Sequence, residues 1–274
     1  MFSIHVGDFK SGWSPCTDAL FTQRRDWFNL FHQPLIFTPG DNEWTDCHRA
    51  FGAAFDPLER LQKLRALFFA DAVSLGQQKM ALTRQTPDFP ENARWEHQGI
   101  VFATINVPGS HNNKAMPKEK AARDTANDAW IRAAFDGARA KSQRAVVIAM
   151  QANPFSSDIK RGPYAAILRA LTRETVNFSG EVLLIHGDTH RYRMDQPLPD
   201  PRARATLSRI VRSASFVAAK MPTSTGGAFS ETSLDARPYS QQLPATTTRF
   251  TPALATASSS RRLESRFRRQ RSSE

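Results

Sequence analysis

The stretch Val182-Leu183-Leu184-Ile185-His186-Gly187-Asp188-Thr189-His190 decides how this chain reads. Its apolar run has the length of a buried strand, and it ends at once in two imidazoles flanking a carboxylate. The same grammar recurs upstream. Phe2-Ser3-Ile4-His5-Val6 reads as a strand ending in Gly7-Asp8, and Leu35-Ile36-Phe37-Thr38 as one ending in Gly40-Asp41-Asn42-Glu43. Ala145-Val146-Val147-Ile148-Ala149-Met150 ends in Gln151-Ala152-Asn153, and a fifth strand over 100–107 runs into Gly109-Ser110-His111-Asn112-Asn113.

Helical spacing fills the intervals. One helix is predicted over 15–32, with Leu20, Trp27, Phe28 and Phe31 along one side and Pro34 as its stop. Leu58, Leu61, Leu64 and Phe68 mark a second, and residues 119–141 a third that buries Trp130, Ile131, Ala134, Phe135 and Ala138. Pro163 suits the first turn of a fourth, running to Val176. Strands alternating with helices define an α/β domain. Sites in open α/β sheets form at the carboxyl ends of strands, so parallel neighbours bring these polar termini to one edge. Oxygen-rich donors with one or two imidazoles suit Mn²⁺, Mg²⁺, Fe or Zn²⁺. Two such ions about 3.5–4 Å apart clamp an attacking water and a phosphoryl oxygen.

Composition sets the bounds. The chain has 274 residues and a formal net charge of +11. Residues 1–201 carry 24 Lys and Arg against 22 Asp and Glu, whereas 202–274 carry 13 against 4. The basicity therefore belongs to the tail and gives no reason to expect nucleic acid on the body. Of the 73 residues from 202 onward, 45 are Ser, Thr, Ala or Arg. Such a stretch buries too little apolar surface to order itself, so disorder is expected over 222–274, with one domain over 1–221. Translation out of frame produces the same bias. No apolar run reaches the length of a membrane span, and the N-terminus as written has no signal-peptide pattern. Two cysteines, Cys16 and Cys47, exclude a disulfide scaffold and a Cys₄ zinc site. Each follows a proposed ligand loop; they read either as a disulfide, fitting an oxidising compartment, or as two separate buried thiols. Nucleophile-elbow, P-loop, dinucleotide and H-E-x-x-H motifs are absent.

Taken in order, Val6-Gly7-Asp8, Gly40-Asp41-Asn42-Glu43, the Gln151 segment and Gly187-Asp188-Thr189-His190 resemble successive motifs of the calcineurin-like metallophosphoesterases. Gly-Asp-Phe-Lys-Ser-Gly, Gly-Asp-Asn-Glu-Trp-Thr-Asp-Cys and His-Gly-Asp-Thr-His-Arg-Tyr-Arg are similar to a bacterial branch of it. The resemblance spans about residues 2–195. It implies a two-sheet α/β/β/α sandwich, a dinuclear centre of divalent metal ions, and hydrolysis of a small phosphoester by metal-activated water. A relative that binds metal or a phosphorylated ligand without turnover is the alternative.

Position by position, Asp8 matches the metal-bridging carboxylate and Asp41 the ligating Asn; a one-residue slip makes Asn42 that ligand. Gln151 stands where the family ligates through His, Asp188 at the first His of the final motif, and His190 at the second. His186 lies just outside that motif, as a ligand or a residue supporting one. The family's catalytic His is here Asn42 or Glu43, and neither is an imidazolium donor. The family's opening Asp-x-His motif has no counterpart: either this branch binds one metal or, the expectation here, a preceding segment would carry two further ligands. Any signal peptide would lie there as well, so a periplasmic or secreted location follows only in that case. Lys10, Arg191 and Arg193 read as phosphate contacts or as solvated charges, and His111 with Asn112 as a lining of the site.

Overall fold

The computed structural model describes residues 1–85, 87–156, 161–190, 192–198 and, for backbone only, 210–215. The expected disorder over 222–274 and the role expected of Arg191 lie outside the described residues. No helix among the described residues is long and apolar enough to cross a membrane.

The fold is α/β. Two short strands, β1 (Ser3–His5) and β2 (Leu35–Phe37), pair in parallel. A larger mixed sheet has the order β3 (Thr83–Gln85), β4 (Phe89–His97), β5 (Ile100–Thr104), β6 (Ala145–Ala149), β7 (Glu181–His186), β8 (Ile210–Ser215). β3, β4 and β5 pair antiparallel in succession, and β5 through β8 pair in parallel. All of β5 and β6 is buried, as expected for strands covered on both faces.

Among the described residues, four longer helices cover the sheets: α1 (Asp18–Asn29), α2 (Pro57–Phe68), α3 (Pro117–Ala140) and α4 (Ala165–Val176). Local chemistry sets their starts. The Thr17 hydroxyl caps α1 by accepting from Leu20 N–H at 3.3 Å, so the helix begins later than residue 15. The Asp56 carboxylate caps α2 through Leu58 and Glu59 N–H at 2.8 and 2.9 Å. Pro57 and Pro117 sit in first turns, where no N–H is missed. The buried face of α1 is Phe21, Arg24 and Phe28. Leu20, Trp27 and Phe31 lie only partly covered, because the seam is rotated by about one residue from the expected one and Arg24 stacks on Trp27. The α3 face is as expected, with Ile131, Ala134, Phe135 and Ala138 wholly buried.

Three apolar clusters fix the layering. One joins α1 and α2 to β2, through Phe21, Phe28, Phe37, Leu61, Leu64 and Phe68. A second lies between the sheets, where Ile4 and Ile36 meet Trp95, Phe102, Val147 and Ile185. The third packs α3 and α4 on the far face of the large sheet. With the sheets face to face, the carboxyl ends of β1, β2, β5, β6 and β7 approach one another. Gly187 N–H donates to the Gln151 carbonyl at 2.8 Å, and Ala152 N–H to that of Val107 at 2.9 Å.

Candidate functional site

Asp8 follows β1 in a left-handed conformation (φ 61), after Gly7 (φ 86). The loop after β2 is held against it by Glu43, which is fully buried. The Glu43 carboxylate accepts from Gly40 N–H at 2.8 Å and Asp8 N–H at 3.1 Å, and also from Phe9 N–H. Its oxygens are committed to main chain, so Glu43 is a brace between two loops, not the catalytic group expected there. The loops approach so closely that a Cβ on Gly40 would sit 2.3 Å from Asp8 Oδ1.

Gln151, at the end of β6, stands between the carboxylates. Its amide nitrogen lies 3.1 Å from Asp8 Oδ2, 3.1 Å from Asp41 Oδ1 and 3.4 Å from Asp188 Oδ1. The amide orientation is set from behind, where Oε1 accepts from Gly109 N–H at 2.5 Å. As oriented, Gln151 presents donors, not the ligating oxygen expected of it. An NH₂ group has two protons for three acceptors, so the amide alone does not satisfy the three carboxylates. Asp8 Oδ1 is buried with no hydrogen-bond partner. Gly109 leaves room for this convergence: a Cβ there would meet Asp41 Oδ2 at 2.7 Å and Asp188 Oδ1 at 2.9 Å.

A left-handed turn supplies the remaining wall. Ser110, His111, Asn112 and Asn113 all have positive φ, between 44° and 62°. Runs of this kind are costly for residues with a Cβ, and Asn tolerates them best. The Ser110 hydroxyl lies 2.8 Å from Asp41 Oδ2 and 3.1 Å from Asp46 Oδ2. Arg49 pairs with Asp46 at 2.8 Å and donates to Ser110 Oγ at 3.3 Å.

The electrostatics follow. Burial, and then the charges of Asp41, Glu43 and Asp188, hold the Asp8 carboxyl well above its usual range. Burial followed by Asp41 pushes Asp188 up to about 7. Burial also raises Glu43 to about 7, against the pull of Lys10 and the backbone donors. Asp46 is raised by burial and by Asp41. A cluster of this kind takes up protons or a cation.

The structure thus joins Asp8, Asp41, Gln151 and Asp188 through the Gln151 amide, and the Lys10 ammonium lies in the field of Glu43, Asp8, Asp46 and Asp41. Asn42 turns away, its amide donating to the Lys10 carbonyl at 3.2 Å. Lys10 is buried, with its ammonium on the carbonyls of Ser11 (3.2 Å) and Ser14 (2.9 Å). Because β7 continues through His186, that ring packs inside beside Phe155, and burial lowers its pKa to about 4. His190 and His111 are exposed and hydrogen-bond to none of the carboxylates. Asn112 is buried in a structural network, accepting from Arg123 at 2.6 Å and donating to Asp124 at 3.1 Å. Arg193 is exposed and pairs with Asp195. Cys16 and Cys47 form a disulfide, which settles the open alternative.

Sequence reading missed Arg49, Asp46, Ser110 and the Gly109 N–H. Asp46 lies inside the quoted Gly-Asp-Asn-Glu-Trp-Thr-Asp-Cys motif, and Gly109-Ser110 opens a quoted loop, so both carried a signal; Arg49 carried none. Among the described residues, no group of three or more His, Cys, Asp or Glu is placed to hold a metal ion, the Gln151 amide lying between the carboxylates. No protein-family model, curated protein or solved structure matches the chain.

Proposed function

We propose that the protein hydrolyses phosphoric esters with a divalent cation that Asp8, Asp41 and Asp188 would hold in place of the Gln151 amide protons, in a sandwich of the metallophosphoesterase kind. The observation that carries this reading is the convergence of three carboxylates from separate strand ends, one with a buried and unpartnered oxygen. An all-oxygen donor set fits a hard ion, Mg²⁺ or Mn²⁺, better than Fe or Zn²⁺. Three carboxylates, with no imidazole hydrogen-bonded to them among the described residues, suit one ion better than the two that the resemblance implies. A bound ion supplies an activated water and draws charge from the phosphoryl group. The chain's own part is to gather the carboxylates, through Glu43, Gly109 and Gln151, and to place the Arg49 guanidinium at their edge. Activity is tested with p-nitrophenyl phosphate and bis-p-nitrophenyl phosphate in Mn²⁺. Turnover is expected to vanish with chelator and to fall at least about 100-fold in Asp41→Asn, the scale of losing a main electrostatic group. Turnover indifferent to chelator would sink the proposal.

A second reading, binding without turnover, is favoured by one observation: among the described residues, no histidine hydrogen-bonds to the carboxylate cluster. Calorimetric Mn²⁺ binding with no hydrolysis of either ester would select it.

A further inference from the structure

We infer that Trp13 and Phe51 form a stacking platform for a planar aromatic ring in the organic group of the phosphoester. This rests on the reading of the carboxylate cluster given above. Trp13 is 73% exposed and Phe51 52%, the former among the most exposed large apolar side chains described. Isolated exposed apolar residues need no explanation. These two, however, touch each other across separate loops, with ring centroids 4.3 Å apart and planes tilted by 54°. The tilt leaves ring surface of both open to a guest.

Both loops leave the carboxyl ends of β1 and β2, the edge that carries the cluster. One chain of contacts ties them to it. Arg49, two residues before Phe51, reaches Ser110 Oγ at 3.3 Å, and that hydroxyl lies 2.8 Å from Asp41.

The platform is also held rigid. The buried Lys10 ammonium grips the carbonyls of Ser11 and Ser14 on either side of Trp13. Trp13 N–H donates to Ser11 Oγ at 3.1 Å, and Ser14 N–H to Ser11 O at 3.0 Å. The Cys16–Cys47 bond and the Cys16 N–H to Gly52 carbonyl hydrogen bond, at 3.1 Å, join the two loops. The disulfide, and a lysine that braces this turn while facing the carboxylates, hold the rings in place, as a pre-organised binding surface requires. The pair is too small for a stable protein interface, which needs on the order of 800 Å² per partner. An aryl or nucleobase ring matches it, and stacking on Trp is tolerant of ring identity.

The test uses phenylphosphonate and ethylphosphonate, which cannot be hydrolysed, titrated calorimetrically in Mn²⁺. The wild type is expected to bind the phenyl ligand about tenfold tighter, a factor within the usual range for one stacked ring. Trp13→Ala and Phe51→Ala should each shrink that preference to twofold or less, while Trp13→Phe keeps most of it. Affinity for ethylphosphonate and for Mn²⁺ should hold in all three variants. Equal affinity of the wild type for the two phosphonates, with Mn²⁺-dependent binding of both, overturns the platform alone. No phosphonate binding at all overturns the reading of the cluster and the platform with it. A dimer in sedimentation that Trp13→Ala dissociates, with no phenyl preference, assigns the pair to self-association instead.

Discussion

Glu43 shows how much of the site depends on one side chain that is not at its centre. It lies in a motif that invites a catalytic role, yet its carboxylate accepts from three main-chain N–H groups on two loops. Removing it orphans buried donors, each costing about 1–3 kcal/mol. Glu43→Ala is therefore expected to lose about 3 kcal/mol or more of stability in urea denaturation. Glu43→Gln, which keeps one acceptor oxygen, should lose visibly less; equal losses would refute the brace. The same logic explains what was legible at this scale. Asp8, Asp41 and Asp188 were readable only together, because Gly-Asp after a strand is by itself turn chemistry, whereas several polar strand ends in succession point to one edge. The orientation of Gln151 was not, since it depends on the Gly109 N–H, 42 positions away. Nor was the fate of His186, which turns on β7 running one residue past its apolar segment.

Elements of unbroken apolar sequence were readable, and those with polar interiors were not. β5, β6 and β7 announce themselves, and so does the buried stripe of α3. β4 escaped because Glu91 and Asn92 interrupt it. Both are fully buried, and both need partners from distant elements: Glu91 pairs with Arg65, 2.8 Å away on α2, and Asn92 with Asn127, 2.8 Å away on α3. A buried polar residue costs little when paired, but the pairing is invisible before the fold is known. The loop elements around the site depend on a different device. The Cys16–Cys47 bond links the turn before α1 to the helical turn Thr45–His48 across a separation of 31 residues. Closing a loop of this length restricts the unfolded chain by about 3–4 kcal/mol. Cys16→Ser is expected to cost that order of stability relative to the oxidised protein, and wild type unfolded with reductant present should match it. Indistinguishable urea midpoints with and without reductant would show that the bond does not hold the loops.

At the scale of the molecule, three apolar layers flank two sheets, and β1 lies between two of them. Its side chains alternate accordingly: Ile4 enters the core between the sheets, and His5 faces the helices. The His5 ring packs 4.9 Å from Phe28 and 5.7 Å from Phe37, and its Nδ1 is buried without a partner. Burial lowers its pKa from 6.5 to about 4. Between those values the unfolded chain binds a proton that the folded chain refuses. Stability is therefore fully present above pH 6.5 and falls as the pH drops toward 4. At 1.36 kcal/mol per unit, this one ring accounts for about 2–3 kcal/mol of acid destabilisation. His186, also lowered to about 4, acts in the same direction. The raised carboxylates Asp8, Asp188 and Glu43 act with the opposite sign, since their folded forms hold protons the unfolded chain has released. A raw pH profile mixes all of these, so the informative quantity is a difference. Unfolding free energies of wild type and His5→Phe, measured from pH 7 to pH 4, should diverge steadily below 6.5, with the variant the less acid-sensitive. Parallel profiles would mean that His5 takes its proton in the folded state, and that the layer between β1 and α1 admits water.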